Sequence, residues 1–229
     1  MKITVIHGQS HKGSTYNIAK QLYDKLSGEV TEFFLPKDFD YFCKGCTACF
    51  TDETKCPHYE KLEPITKAMD EADVIILTSP VYVMHATGAM KAFLDHYGYR
   101  FLVHRPEEKM FAKQAVCIST AAGAGMKSTI KDMADSTFFW GIAKTYKLGT
   151  AVMETRWEAV KPEIKQKLDK KTTFLAKKIS RKVGRIKPDI KTKSFFAVMA
   201  MMQKNGFNPT DKEYWTAKGW TKGKRPWKS

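Results

Sequence analysis

Short apolar segments alternate with amphipathic ones along the first two-thirds of the chain, and this alternation constrains the fold more than any other feature. Residues 2–7, 29–35, 73–79, 114–120 and 146–152 are brief and rich in Val and Ile, as buried strands are. Between them, residues 14–26, 62–71, 86–96 and 126–139 show helical spacing, with Gly, Pro or Asp at several boundaries. Strands joined by right-handed helical crossovers build a parallel sheet covered on both faces. The expected fold is therefore α/β, a doubly wound five-stranded parallel sheet. In such sheets a ligand sits beyond the carboxyl ends of the strands, where strand order reverses. Three loops reach that region: 8–17, 80–88 and 121–125.

The first loop, Gly8 to Asn17, runs directly into a helix. A helix N-terminus offers unpaired N–H groups and a positive dipole end, so it favours an anion. Neither G-x-G-x-x-G nor G-x-x-x-x-G-K-[ST] is present, which argues against a dinucleotide fold or a P-loop. The side chains of Ser10, Ser14, Thr15 and Asn17 suit one terminal phosphate instead, such as that of FMN. The alternative is that Ser14 or Thr15 simply caps a surface helix. In the second loop, Pro80 fixes one backbone angle and biases Ser79 toward an extended conformation, leaving nearby N–H groups for a ring carbonyl. In the third, Ala121-Ala122-Gly123-Ala124-Gly125 has so little bulk that backbone can approach a flat ligand closely. Small residues also serve ordinary tight turns. His85, next to the expected ring, reads more readily as a loop residue than as a proton donor.

Together, Gly8-Gln9-Ser10 with Ser14-Thr15-Tyr16-Asn17, and Ser79-Pro80-Val81-Tyr82 with Met90-Lys91-Ala92-Phe93-Leu94-Asp95, resemble the flavodoxin-like NAD(P)H-dependent FMN reductases over about residues 1 to 150. The resemblance implies that Ser10, Ser14, Thr15 and Asn17 hold the FMN phosphate. It implies that Pro80, Val81, Tyr82 and Val83 run along the flavin, and that Thr120, Ala121, Gly123 and Gly125 cover another part of it. The family commonly has Arg in the first loop where this chain has His11 or Lys12; Lys12 is taken as the cation there. The implied activity is hydride transfer from NAD(P)H to FMN and on to a small acceptor such as a quinone, a flavin or a nitro compound. Such chemistry predicts ping-pong kinetics and needs no acid–base residue, so no catalytic side chain is assigned. Reductases of this kind are often dimers or tetramers, which implies a homo-oligomer. A flavodoxin-type electron carrier is the rival class, disfavoured because carriers are commonly acidic.

A second cluster is Cys43-Lys44-Gly45-Cys46-Thr47-Ala48-Cys49, closed by Cys56-Pro57. Four thiols this close together in a reducing compartment argue for a metal or redox role. Two-residue gaps let successive thiolates converge on one centre, and four Cys ligands suit an iron–sulfur cluster. Six residues precede Cys56, unlike the C-x₂-C-x₂-C-x₃-C-P run of bacterial ferredoxins. The arrangement resembles the iron–sulfur flavoproteins, a branch of the same family, which implies a [4Fe-4S] cluster on Cys43, Cys46, Cys49 and Cys56 and a ferredoxin-like partner. Structural zinc, a redox-active thiol pair and a metal-free relic are the alternatives. Cys117 lies in the apolar run Ala115-Val116-Cys117-Ile118 and reads as a small core residue.

Charge divides the chain unevenly. Residues 1–149 carry 18 Lys and Arg against 17 Asp and Glu, net +1, whereas residues 150–229 carry 21 against 7, net +14. Residues 1–187 are expected to form the flavin domain, ending in a helix patterned on Val160, Ile164, Leu168, Leu175 and Ile179, and residues 188–229 a basic, aromatic-rich extension. That extension has several readings: packing in a dimer near the flavin, contact with an anionic membrane surface, or docking of an acidic electron-transfer partner. Nucleic acid is disfavoured, because no recognised binding module accompanies the basic residues. Met1-Lys2 leads straight into a strand rather than a signal peptide, and no apolar run approaches the roughly 20 residues that span a bilayer. The expected location is the cytoplasm.

Overall fold

A computed structural model describes residues 1–206 and 208–228. Phe207 and Ser229, which belong to the expected extension, lie outside the described residues. The five strands are β1 (Lys2–His7), β2 (Glu29–Phe34), β3 (Val74–Pro80), β4 (Gln114–Ala121) and β5 (Lys144–Ala151). All neighbouring pairs are parallel, in the order β2-β1-β3-β4-β5. Strand order reverses between β1 and β3, so the loops after these two strands flank the switch point.

The helices are α1 (Ser14–Tyr23), α2 (Tyr59–Glu71), α3 (Gly88–Asp95), α4 (Met126–Phe139), α5 (Pro162–Ser180), α6 (Ile190–Asn205) and α7 (Pro209–Ala217). Central strands are apolar on both faces because helices cover both. On β3, Val74 and Ile76 pack with Ile18 and Leu22 of α1 and with Leu168 and Ile179 of α5. Ile75 and Leu77 pack on the other side with Leu62 and Ile65 of α2, Phe93 of α3 and Ile130 of α4. Cys117 of β4 is buried in that second core, and burial pushes its thiol up to about 12.

Helix boundaries differ from the expected ones by a few residues. α3 starts at Gly88 rather than residue 86, because the Thr87 hydroxyl accepts from Met90 N at 3.1 Å and caps the helix. α1 ends at Tyr23, and residues up to Leu26 form a turn instead, with Leu26 N donating to Tyr23 O.

After α5 the chain does not trail away. Phe196 of α6, Trp215 of α7 and Trp220 join Leu102 and Phe111, from the stretch between α3 and β4, in a third core. The aromatic residues of the extension are thus largely the interior of this chain, while Ile190, Val198, Met201 and Met202 remain exposed on α6. Among the described residues, no helix is long and apolar enough to cross a membrane.

Candidate functional site

The loops after β1, β3 and β4 interlock at the carboxyl edge of the sheet. Gly8 N donates to Thr78 O at 2.7 Å, and the Thr87 hydroxyl donates to Gly8 O at 2.6 Å, joining the first two loops. A Cβ on Gly8 would lie 2.9 Å from Thr78 O, so the close approach requires glycine. Gln9 Nε2 donates to the Tyr82 hydroxyl at 2.6 Å. Val81 N donates to Thr120 O at 2.9 Å, and the Ser128 hydroxyl donates to Met84 O, tying the second loop to the end of β4 and the start of α4, on either side of the third loop. Gly125 has φ +94°, and a Cβ there would lie 2.5 Å from Val81 Cγ1.

The residues expected to hold a phosphate divide by role. Ser14 and Thr15 are buried in the first turn of α1, and among the described residues the Ser14 hydroxyl has no hydrogen-bond partner. No side chain caps this helix, whose boundary residue is Gly13. A buried hydroxyl without a partner beside uncapped N–H groups is a donor set matched to an anion, so the residues present fit the phosphate of FMN. Asn17 Nδ2 donates to Gly13 O at 2.9 Å and to Lys12 O at 3.3 Å, so this amide holds the loop itself. The Ser10 hydroxyl donates to Leu35 O at 3.1 Å. Lys12 Nζ lies over the Tyr16 ring at 5.2 Å from its centroid.

The second loop is strained. Tyr82 N donates to His85 O at 2.9 Å and His85 N returns a bond to Tyr82 O at 3.0 Å, closing a two-residue hairpin. Its central residues, Val83 and Met84, have φ of 46° and 67°. This left-handed turn is one that Asn and Gly favour, and a β-branched residue there is an outlier. Val83 is 96% exposed and Tyr82 46%, so the turn presents apolar surface at the edge of the sheet. Asp132 of α4 anchors it, accepting from Ala86 N at 3.1 Å and lying 3.1 Å from His85 Nδ1. Around the third loop, Thr120 is buried near the end of β4, Ala121 follows it half-buried, and Gly123 is exposed, with no atom within 4 Å of where a Cβ would stand.

Sequence reasoning missed the support behind the first loop. His7, buried at the end of β1, has Nε2 2.8 Å from Glu32 Oε1 and Nδ1 3.2 Å from the Thr78 hydroxyl. The Tyr23 hydroxyl donates to the same Glu32 oxygen at 3.1 Å. Burial lowers the His7 pKa against the opposing pull of Glu32.

The cysteine loop lies between β2 and α2, and Cys43, Cys46, Cys49 and Cys56 line one cavity of about 80 Å³. Burial raises the pKa of Cys49, with smaller contributions from thiolates at Cys56, Cys43 and Cys46. Zn–S bonds of ≈ 2.3 Å in a tetrahedron place thiolates about 3.8 Å apart. Among the described residues, however, the group of possible ligand atoms that closes to within 4.8 Å is Cys56, His58 and His96 rather than any three of the cysteines. Four thiols around one cavity are the type of donor set that holds an iron–sulfur group.

Arg105, from the stretch between α3 and β4, fastens this loop. It donates through Nη2 to Cys49 O and through Nη1 to Phe50 O, both at 2.6 Å. Asn208 Nδ2, just before α7, donates to Phe50 O at 3.2 Å.

Five parallel strands in this order, with three interlocked loops and an anion-ready helix start at the switch point, define a flavodoxin-like α/β protein. Residues 1–157 match the family of NADPH-dependent FMN reductases, and the chain belongs to that family. An iron–sulfur flavoprotein of Archaeoglobus fulgidus is 30% identical over 117 residues, covering 49% of this chain and 50% of the relative. An iron–sulfur flavoprotein of Methanocaldococcus jannaschii is 29% identical over 137 residues, covering 58% of this chain and 69% of the relative. The chain thus matches about half the length of the Archaeoglobus relative. In fold it is similar to an FMN-dependent NADH-azoreductase of Bacillus anthracis, with a TM-score of 0.60 at 11% identity over 79% of this chain and 100% of that one. A flavone reductase has a TM-score of 0.57 at 16% identity, covering 82% of this chain and 66% of the other.

Proposed function

We propose that this chain is an FMN-dependent oxidoreductase that takes a hydride from NAD(P)H and passes reducing equivalents to a small acceptor. The observation that carries this reading is the buried, unpartnered Ser14 hydroxyl at the uncapped start of α1, beside the sheet's switch point. FMN, when bound, accepts a hydride and releases electrons in pairs or singly. Ser14, Thr15 and the first N–H groups of α1 bind the phosphate, and the charge of Lys12 favours it. Pro80, Val81, Tyr82 and Val83 orient the ring edge, and the small residues from Ala121 to Gly125 admit it closely. No side chain is required to move a proton in the hydride step. Quinones, flavins and nitro compounds are the acceptor classes that an exposed, partly apolar rim of Tyr82, Val83 and Met84 suits.

The test compares FMN with riboflavin on metal-free chain. Wild type binds FMN more tightly, and Ser14→Ala narrows the difference about tenfold, the scale of a lost hydrogen bond to a charged group. Equal affinity for both flavins in wild type contradicts the assignment.

The cysteine loop supports a second reading, in which Cys43, Cys46, Cys49 and Cys56 hold a [4Fe-4S] cluster and a ferredoxin-like protein exchanges single electrons with it. Protein purified without oxygen then contains about four iron and four sulfide per chain, the stoichiometry of a four-thiolate cluster. Cys46→Ser and Cys49→Ser then abolish transfer to a one-electron acceptor and leave FMN bound. Full FMN with no iron leaves the simple reductase.

A further inference from the structure

The cavity beneath the cysteine loop also contains two buried histidines. Cys56 Sγ and one ring nitrogen each of His58 and His96 all lie within 4.8 Å of one another. His58 Nδ1 and His96 Nε2 are 3.0 Å apart. His96 Nδ1 lies 2.8 Å from Ala92 O, and a carbonyl only accepts, so Nδ1 carries the proton and Nε2 turns a lone pair toward His58. Metal-bound imidazoles are held in this way, with the second ring nitrogen donating to a backbone carbonyl that fixes tautomer and ring orientation. Aromatic neighbours hold both rings: His58 stacks on Tyr41 at 4.6 Å, and His96 meets the edge of Phe39 at 4.8 Å.

We propose that Cys56, His58 and His96 form a binding site for a single zinc-class divalent cation. Zn–N bonds of ≈ 2.0–2.1 Å and Zn–S bonds of ≈ 2.3 Å in a tetrahedron put ligand atoms roughly 3.3–3.6 Å apart. The 3.0 Å nitrogen pair needs a shift of a few tenths of an ångström to reach that spacing, and the thiol needs a modest closure. Two imidazoles and one thiolate form a borderline donor set suited to Zn²⁺ and Co²⁺ rather than to Mg²⁺ or Ca²⁺. Binding forms one metal–sulfur and two metal–nitrogen bonds, moves the proton that His58 Nδ1 donates to His96 onto the other His58 ring nitrogen, and releases the Cys56 thiol proton. Three protein ligands leave a fourth position to water or a nearby loop thiol, as in zinc sites that keep an open place. The site does not rest on the flavin reading. It shares Cys56 with the four-thiolate cluster, so the two occupants exclude one another.

The experiment uses reduced, FMN-loaded full-length chain stripped of metal with a chelator and titrated with Co²⁺. Ligand-field and thiolate-to-cobalt absorption bands report the geometry and donors of the bound ion. Wild type takes up one Co²⁺ per chain, displaced by Zn²⁺. Cys56→Ser and His96→Ala each weaken binding by at least about tenfold, since even indirect supports of a metal site are worth 10–100-fold. Cys43→Ser changes affinity by less than about threefold. FMN content and far-UV circular dichroism verify that each variant is folded, and His58→Ala replaces His96→Ala if the latter is not. Two results overturn the site. Loss in Cys43→Ser without loss in the histidine variants means a thiolate-only centre, and no uptake by wild type means a plain hydrogen-bonded histidine pair.

Discussion

Arg105 and Asp211, 106 residues apart in sequence, meet in the interior with Nη1 3.0 Å from Oδ1. The same guanidinium holds the carbonyls of Cys49 and Phe50, so α7 of the C-terminal extension is linked through one side chain to the cysteine loop. His104 Nδ1 lies 2.7 Å from the second Asp211 oxygen, which completes the pairing of a carboxylate only 2% exposed. Removing one partner of such a pair leaves an uncompensated buried charge, at a cost of about 3–5 kcal/mol. Asp211→Ala is therefore expected to lower stability on that scale and to speed proteolysis within residues 43–56. Arg105→Ala/Asp211→Ala should cost less than the sum of its single variants. Denaturant midpoints and a protease time course check this, and strict additivity would count against the link.

The hairpin at Val83 and Met84 predicts a substitution that stabilises the fold. Left-handed backbone costs a branched residue roughly 1–2 kcal/mol, whereas Asn tolerates it. Val83→Asn should raise the unfolding free energy of flavin-free chain by about 1 kcal/mol, read as a higher denaturant midpoint, while removing apolar surface from the rim of the site. An unchanged or lower midpoint would mean that the turn is not strained.

Gly125 sets the clearance between the second and third loops. In Gly125→Ala, the added methyl meets Val81 and the backbone keeps an unfavourable positive φ. FMN affinity should fall roughly tenfold, about 1.4 kcal/mol, as measured by fluorescence titration. Affinity within twofold of wild type would separate this loop from the flavin.

His7 makes stability depend on pH. Its folded pKa is lowered by burial, so the unfolded chain binds more protons between the folded value and the ordinary histidine value of ≈ 6.5. Stability is highest above that ordinary value, declines as pH drops below it, and levels off once pH is below the folded value. His96 is lowered by burial as well and adds to the decline. Between pH 7.5 and pH 5 the urea midpoint should therefore fall less in His7→Gln than in wild type. An equal fall in both would remove His7 from the account.

The sheet and its loops were legible because strand–helix alternation is a local signal: β1 was located to the residue, and α4 as well. Ser14 and the four cysteines stood out for the same reason, since residue type and short spacing reveal them. Their supports did not. His58 and His96, Arg105 and Asp211, and His7 with Glu32 are brought together by folding across 38, 106 and 25 residues, and no periodicity marks such pairs. The extension was only partly legible: its apolar and aromatic residues announced a buried surface, but not that Leu102 and Phe111 of the same chain would cover it.

The central claim is tested most directly by mixing FMN-loaded protein with NADPH, and separately with NADH, in the absence of oxygen and following the visible flavin absorption. The account predicts bleaching of one FMN per chain by at least one of the two nucleotides, with colour restored when a quinone is added. Flavin that stays bound and oxidised with both nucleotides would contradict it and point to an electron carrier.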